Sequence, residues 1–288
     1  MRSSERGLAL VIVLWALVLL SIVAASVIGL GLNEARLTHN LKDEARAEAL
    51  ADAGIYHAIL VLLDSRARLK WRVDGAPYQI TFADTAITVS IQDERGRIDL
   101  NTANDALLAG LFESAGLSPD AAQTMTDRIA DWRSPGDLKR LNGAKAEDYR
   151  RAGYAYGPRN GAFQSVSELK LVMGMTPSLY RAVAPALTLY SKAATVDPEV
   201  APRCVLLALP AMTDDKVDDI LKERENAGPD NGGDVAIADD AMLAGHAFSI
   251  SSELTLPGGL RFKRQAVVRF TGDPKQPYWL HEWRSGEQ

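Results

Sequence analysis

Charge is absent from the first long stretch of the chain. From Leu8 to Leu32, 25 consecutive positions carry no Asp, Glu, Lys or Arg, and a helix of that length rises about 37 Å, more than the roughly 30 Å of a bilayer's hydrocarbon core. The pattern predicts a membrane-spanning helix. Arg2 and Arg6 precede it, while Asn33 and Glu34 follow. The positive-inside preference therefore keeps the first seven residues cytoplasmic and places the bulk of the chain outside the cytoplasm. A signal peptide cut after Ala25, at Ile22-Val-Ala-Ala25, is the competing reading. The apolar run continues past that site through Val27, Ile28, Leu30 and Leu32, longer than an h-region of about 7 to 15 residues.

Beyond the span the apolar positions become periodic. Leu37, Leu41, Ala45, Ala49, Ala53, Tyr56, Leu60 and Leu63 recur every three or four residues, with Arg36, Asn40, Asp43 and Arg46 on another face. This is an amphipathic helical stripe. No proline occurs before Pro77, so the same helix is expected to run unbroken to about Arg68, a rod of about 90 Å. A plain signal anchor has no need of such a rod.

The period then shortens to two. Pro77 to Phe82 and Ala86 to Asp93 alternate around the turn Ala83-Asp84-Thr85, and Arg97 to Leu100 suggests a further short strand. Ala247 to Leu256, Leu260 to Phe270 and Tyr278 to Arg284 predict three more, with Pro257-Gly258-Gly259 as a turn and Gly272-Asp273-Pro274 as a break. Between the two sets lie helix signals. Ser118-Pro119 reads as N-cap and first position, with Ala122, Met125, Ile129 and Trp132 on one face. Ser165-Val-Ser-Glu168 reads as a capping box, Gly174 as a C-cap, and Thr176-Pro177 and Thr213 as further starts. The expected fold class is α+β: a long N-terminal helix, a small antiparallel sheet, and a large all-α domain inserted between its strands. The expected boundaries are 1–7 for a leader, 8–32 for the membrane helix and 33–70 for its continuation. The sheet takes 71–100 and 229–288, and the helical insert takes 101–228.

Composition narrows the chemistry. The chain is 47% hydrophobic with a net charge of −5, enough apolar material for a core and no basic excess. One cysteine, Cys204, excludes an internal disulfide and any Cys/His metal cluster. His39, His57, His246 and His281 are scattered, and no HExxH, GxSxG or GxxxxGK motif occurs, so no enzyme is expected. Val172-Met-Gly174-Met-Thr-Pro177 and Leu209-Pro-Ala-Met-Thr213 resemble helix-hairpin-helix or SAM-like turns, as a membrane-anchored DNA-uptake protein would have. Met175 and Ala211 stand where glycine would let the backbone approach a phosphate. Residues 100–225 carry 17 acidic and 15 basic side chains, no gain for binding nucleic acid. The loop containing Asp230 and Asp234, followed by Asp239 and Asp240, offers oxygen ligands beside glycines, an environment suited to calcium but without EF-hand spacing.

The stub Arg6-Gly7-Leu8-Ala9-Leu10, a charged leader ending in glycine and running straight into an apolar helix, resembles the type IV prepilin and pseudopilin leader. The resemblance implies cleavage after Gly7 and N-methylation of Leu8 by a prepilin peptidase. Most pilins carry a glutamate at the fifth mature position, and here it is Ile12. That glutamate is a costly charge in lipid, used to pair with a neighbour's terminal amine during stacking. The class lacking it is the minor pseudopilin K family of type II secretion, which nearly the whole chain resembles. Matching segments are Asp93-Glu-Arg-Gly-Arg-Ile-Asp-Leu-Asn101, Asp131-Trp132-Arg133, Asn142-Gly143-Ala144 with Asp148-Tyr149, Ser167-Glu168-Leu169, Val172-Met-Gly174-Met, Pro257-Gly-Gly259 and Arg264-Gln-Ala-Val-Val-Arg269. Ser134, Gly136 and Lys145 depart from the family pattern, which is more acidic there.

The resemblance implies a pilin helix packed on the sheet and a single-pass inner-membrane protein with its C-terminal domain in the periplasm. It implies a role in starting or capping a pseudopilus tip. The implied partners are the I and J minor pseudopilins, meeting the stripe at Leu37, Leu41, Ala45, Ala49 and Tyr56. The family includes calcium-binding members.

Overall fold

The computed structural model describes residues 5–64, 66, 71–227 and 243–285, and the side chains of these except 5–9, 25–36, 38 and 227. Helix α1, Glu5–Leu63, is a single helix of 59 residues, about 88 Å long at an α-helical rise. It ends five residues before the expected Arg68. The Asp64 carboxylate accepts the N–H of Arg66 at 2.9 Å, a local bond that competes with helix continuation.

The sheet residues alternate as the sequence pattern demands. Strands β1 (Asp74–Phe82) and β2 (Thr85–Asp93) form a hairpin in which Phe82 pairs with Thr85. Its two turn residues, Ala83 and Asp84, both take positive φ, the geometry of a tight turn whose twist matches the strands. Strands β5 (Ala247–Thr255), β6 (Arg261–Asp273) and β7 (Gln276–Ser285) complete a five-stranded antiparallel sheet of order β1-β2-β5-β6-β7. In β2, Ile87, Val89 and Ile91 are buried; in β5 the same face carries Phe248, Ile250 and Leu254, and in β6 Ala266, Val268 and Phe270. These meet Ala47, Leu50, Ala51, Ile55, Ala58, Ile59 and Leu62 of α1 in one core.

Between β2 and β5 the chain folds around a second core built on Phe112, Ile129, Trp132, Tyr149 and Leu169. Here lie α2 (Asp105–Ser114), α3 (Pro119–Arg133), α4 (Ala146–Arg151), α5 (Pro177–Val183), α6 (Arg203–Leu206) and α7 (Asp214–Ala227). Three starts follow the signals. Ser118 Oγ accepts from Ala121 N, Thr176 Oγ1 from Leu179 N and Thr213 Oγ1 from Lys216 N. The Ser165 reading differs: Val166–Leu171 is a 3₁₀ turn with no side-chain cap bond. Ser165 Oγ bonds Ser167 Oγ, and Glu168, held by Arg159 at 2.6 and 2.9 Å, accepts the N–H of Gln164 at 3.3 Å rather than that of Ser165, so the capping box is not made. The segment is not purely helical either. Strands β3 (Ile98–Asp99) and β4 (Leu187–Thr188) pair in parallel and tie its start to the stretch after α5.

Polar groups join the two cores. At the end of β2 the Asp93 and Glu94 carboxylates are buried, Asp93 bonded to Arg95 and Glu94 to Arg97 and Ser249. Across the junction Tyr190 donates to Glu282, and Arg269 donates to the Tyr190 carbonyl at 2.6 Å. His246 stands 3.9 Å from Asp93, and the His281 ring packs on Tyr190. Burial lowers the pKa of His246, with Arg95 acting the same way and Asp93 opposing; burial, Arg269 and Lys192 lower that of His281, with Glu282 opposing. Both imidazoles therefore bind protons more weakly folded than unfolded. Their contribution to stability is complete above the ordinary value of about 6.5 and is lost as pH falls below it. Melting temperature is expected to drop between pH 7.5 and 5.5, and to drop less in a His246→Gln, His281→Gln variant. An unchanged slope in that variant would assign the effect elsewhere.

Candidate functional site: the outer face of the first helix

Helix α1 has two apolar faces. The one packed on the sheet is made of small and medium residues and includes Gly54, where the helix crosses β5. A Cβ there would overlap Ser252 Oγ and lie 3.1 Å from Ser252 Cβ and 3.2 Å from Ile87 Cγ2. Glycine is what permits this approach. The crossing is pinned by Arg264, which sits in the inward phase of β6 and is buried. Its Nε donates to Asp52 at 2.6 Å, Nη2 to Glu48 at 2.5 Å and Nη1 to Ser285 Oγ at 2.6 Å. Its guanidinium also lies over the rings of Phe262 and Trp283. Such charge-assisted bonds fix direction as well as distance. The signal for this clamp was an i,i+4 acidic pair on the helix and an arginine in the apolar phase of a strand.

The second face is the stripe. Leu37, Leu41, Ala45, Ala49, Tyr56, Leu60 and Leu63 are all exposed, and Leu37, Leu41 and Leu60 keep about 60% of their surface in the open (60, 58 and 65%). The Tyr56 ring lies 5.7 Å from that of Trp283. Toward the N-terminus the exposure becomes uniform: Leu10 to Val23, with Ile12 and Trp15 among them, are open to the surroundings. Among the described residues no helix is long and apolar enough to cross a membrane. Much of the run expected to do so, at 8–9 and 25–32, lies outside the residues whose side chains are described. Gly7 and Leu8 fall within α1, also without described side chains.

The expected ion site lies at Asp230, Asp234, Asp239 and Asp240, outside the described residues. Among the described residues no cluster of His, Cys, Asp or Glu could hold a metal. Asp131 is buried, and desolvation raises its pKa against the opposing hydrogen bond from Arg140 N and the charge of Lys145. The buried Lys145 ammonium donates to Asp131 O at 2.7 Å, Ser134 O at 3.0 Å, Ser134 Oγ at 3.2 Å and Asn160 Oδ1 at 3.1 Å. The cation in this loop is thus a side chain. The four histidines stay apart, His57 against Trp71 and His281 against Tyr190.

Helix α1 thus has one apolar face seated on an antiparallel sheet and another left open. Residues 89–192 match the family model described as type II secretion system (T2SS), protein K. Among curated proteins, type II secretion system protein K of Klebsiella pneumoniae is 27% identical over 64% of this chain and 63% of its own length, and that of Pectobacterium carotovorum subsp. carotovorum is 27% identical over the same shares. That of Dickeya chrysanthemi is 30% identical over 39% of this chain and 32% of its own. The chain thus spans just under two thirds of the first two relatives' length. A chain of the solved GspK-GspI-GspJ complex from the enterotoxigenic Escherichia coli type 2 secretion system superposes with a TM-score of 0.53, 14% identity, and coverage of 85% of this chain and all of that one. At that identity the likeness is one of fold. These matches bear out the resemblance to type II secretion system protein K, and they give no support to the DNA-uptake reading.

Proposed function

We propose that the protein is a minor pseudopilin that starts or caps the tip of a periplasmic pseudopilus during export of folded proteins across the outer membrane. The open apolar face of α1, on a chain matching protein K over residues 89–192, carries this reading. Two leucines keeping about 60% of their surface in water, one turn apart, have no role in this fold taken alone. Leu37, Leu41, Ala45, Ala49 and Tyr56 are the contacts offered to the I and J subunits, the named companions of the solved neighbour. The exposed apolar positions from Leu10 to Val23 suit lipid, with the 8–32 helix as a single-pass inner-membrane anchor after removal of residues 1–7. Ile12 offers no carboxylate to a neighbour's amine, and the bulky segment at 101–228 beside the sheet of 71–100 and 229–288 favours a terminal place in the filament.

Mass spectrometry of the mature N-terminus after co-expression with prepilin peptidase is expected to find N-methylated Leu8, and Ser26 as first residue would overturn the assignment. In the same cells Leu41→Asp with Tyr56→Asp is expected to lower recovery of I and J with the protein by at least tenfold. Both positions are exposed, so the fold should be retained.

A further inference from the structure

Between α3 and α5 lies an open groove of about 570 Å³ that the assembly reading does not use. Its walls are apolar, formed by Ala115, Leu117, Ala121, Met125, Leu179 and Ala182. The volume and lining are those of a small-ligand site. Arg128 is the one charged residue among those lining it. Its Nη1 donates to Met173 O at 2.8 Å, and among the described residues no carboxylate pairs with it. Nearby arginines are served differently: Arg140, Arg159 and Arg203 each hold a carboxylate. The hydroxyls at the rim are already engaged, Thr124 with Asp120 O, and Thr176 with Ser178 Oγ and Leu179 N. What the groove leaves unmet is the charge of a guanidinium, a group whose planar fork matches a carboxylate.

We propose that this groove receives the C-terminal carboxylate of a partner peptide whose last residue is apolar. Arg128 and Met125 are i,i+3 neighbours on α3, about 5 to 6 Å apart at Cβ, and they converge at Gly174. There φ is +87°, and a Cβ would overlap Arg128 Nη1 and touch Met125 Sδ. Anion and apolar group must therefore be adjacent on the ligand. A chain-terminal leucine carries both on one Cα, whereas an internal acidic residue places its apolar neighbours on separate Cα atoms.

The test titrates the full chain in lipid nanodiscs with dye-labelled pentapeptides ending in leucine. The free acid is expected to bind saturably, and its C-terminal amide at least tenfold more weakly. Arg128→Gln should abolish that difference, and Ala182→Trp, at an exposed rim position, should abolish binding of both peptides. Ala182→Trp keeps the test decisive even if Arg128→Gln fails to fold. Equal binding of acid and amide, no binding of either at millimolar concentration, undiminished binding by Ala182→Trp, or equal binding of an amidated peptide with an internal aspartate would each overturn the proposal.

Discussion

Gly54→Leu is expected to destabilise the sheet core by roughly 1 to 3 kcal/mol, because inserting a side chain into a packed interior strains its surroundings and here the nearest atoms leave no room. The added Cβ alone overlaps Ser252 Oγ and lies close to Ser252 Cβ and Ile87 Cγ2, and three further carbons follow it. Replacing glycine in a helix returns up to about 1 kcal/mol of propensity, which does not offset the clash. Ser252→Gly should restore part of the loss in the double variant, since Ser252 Oγ is buried without a partner and gives up no hydrogen bond. Urea unfolding followed separately near Trp283, in the sheet core, and near Trp132, in the helical core, reads the effect. The first midpoint should fall and the second should hold. Equal shifts in both would mean that the cores unfold as one unit.

The same variant connects packing to assembly. The α1 outer face is aimed by three devices on its inner face: the Gly54 crossing, the Arg264 clamp and the row of small residues Ala47, Ala51 and Ala58. A helix lifted off β5 by a leucine also tilts Leu37, Leu41 and Tyr56. Loss of partner recovery in Gly54→Leu, regained with Ser252→Gly, would tie orientation of that face to its use.

The strands and the long helix were legible because both rest on periodicity. An alternation of two marks β2 and β5, and Ser118-Pro119 and Thr176-Pro177 mark helix starts with bonds that the structure contains. What periodicity concealed was which face of α1 is which. Leu37, Leu41 and Leu60 give one apolar stripe and stay exposed, while the sheet is met by another, Leu50, Ile55, Ile59 and Leu62 with Ala47, Ala51, Gly54 and Ala58 between them. Two apolar stripes on one helix leave the choice of packed face to the close approach at Gly54, and a glycine carries little hydropathy. The β3–β4 pairing was out of reach for another reason. Two residues cannot show a period, and the partners stand 89 positions apart, Ile98 with Leu187. The role of Lys145 was not legible, because nothing local distinguishes a cation with buried partners from one in water, whereas Arg264 carried a signal in the apolar phase of its strand.

Lys145→Met is expected to loosen the helical core by roughly 2 to 4 kcal/mol. Methionine keeps the apolar stem and the volume but donates nothing, so the acceptors at Asp131 O, Ser134 O and Asn160 Oδ1 lose a charged donor. A hydrogen bond to a charged group is worth about 1.5 to 3 kcal/mol, and a buried acceptor left without a partner costs about 1 to 3 kcal/mol. Asn160 is held at φ +54°, a left-handed conformation that needs support from its surroundings. The ammonium also joins the end of α3 to the loop before α4, where Arg140 N donates to Asp131 and Lys139 Nζ to Asp148. Leu138 and Leu141 stand 91 and 94% exposed on that loop, and Ala144 is its buried apolar anchor, so the stretch before Ala144 depends on these polar ties. Two readouts follow. The unfolding midpoint near Trp132 should fall while that near Trp283 holds, and limited proteolysis within 134–145 should quicken at least tenfold. A variant as protease-resistant as the parent would show that the loop is held by something other than its lysine.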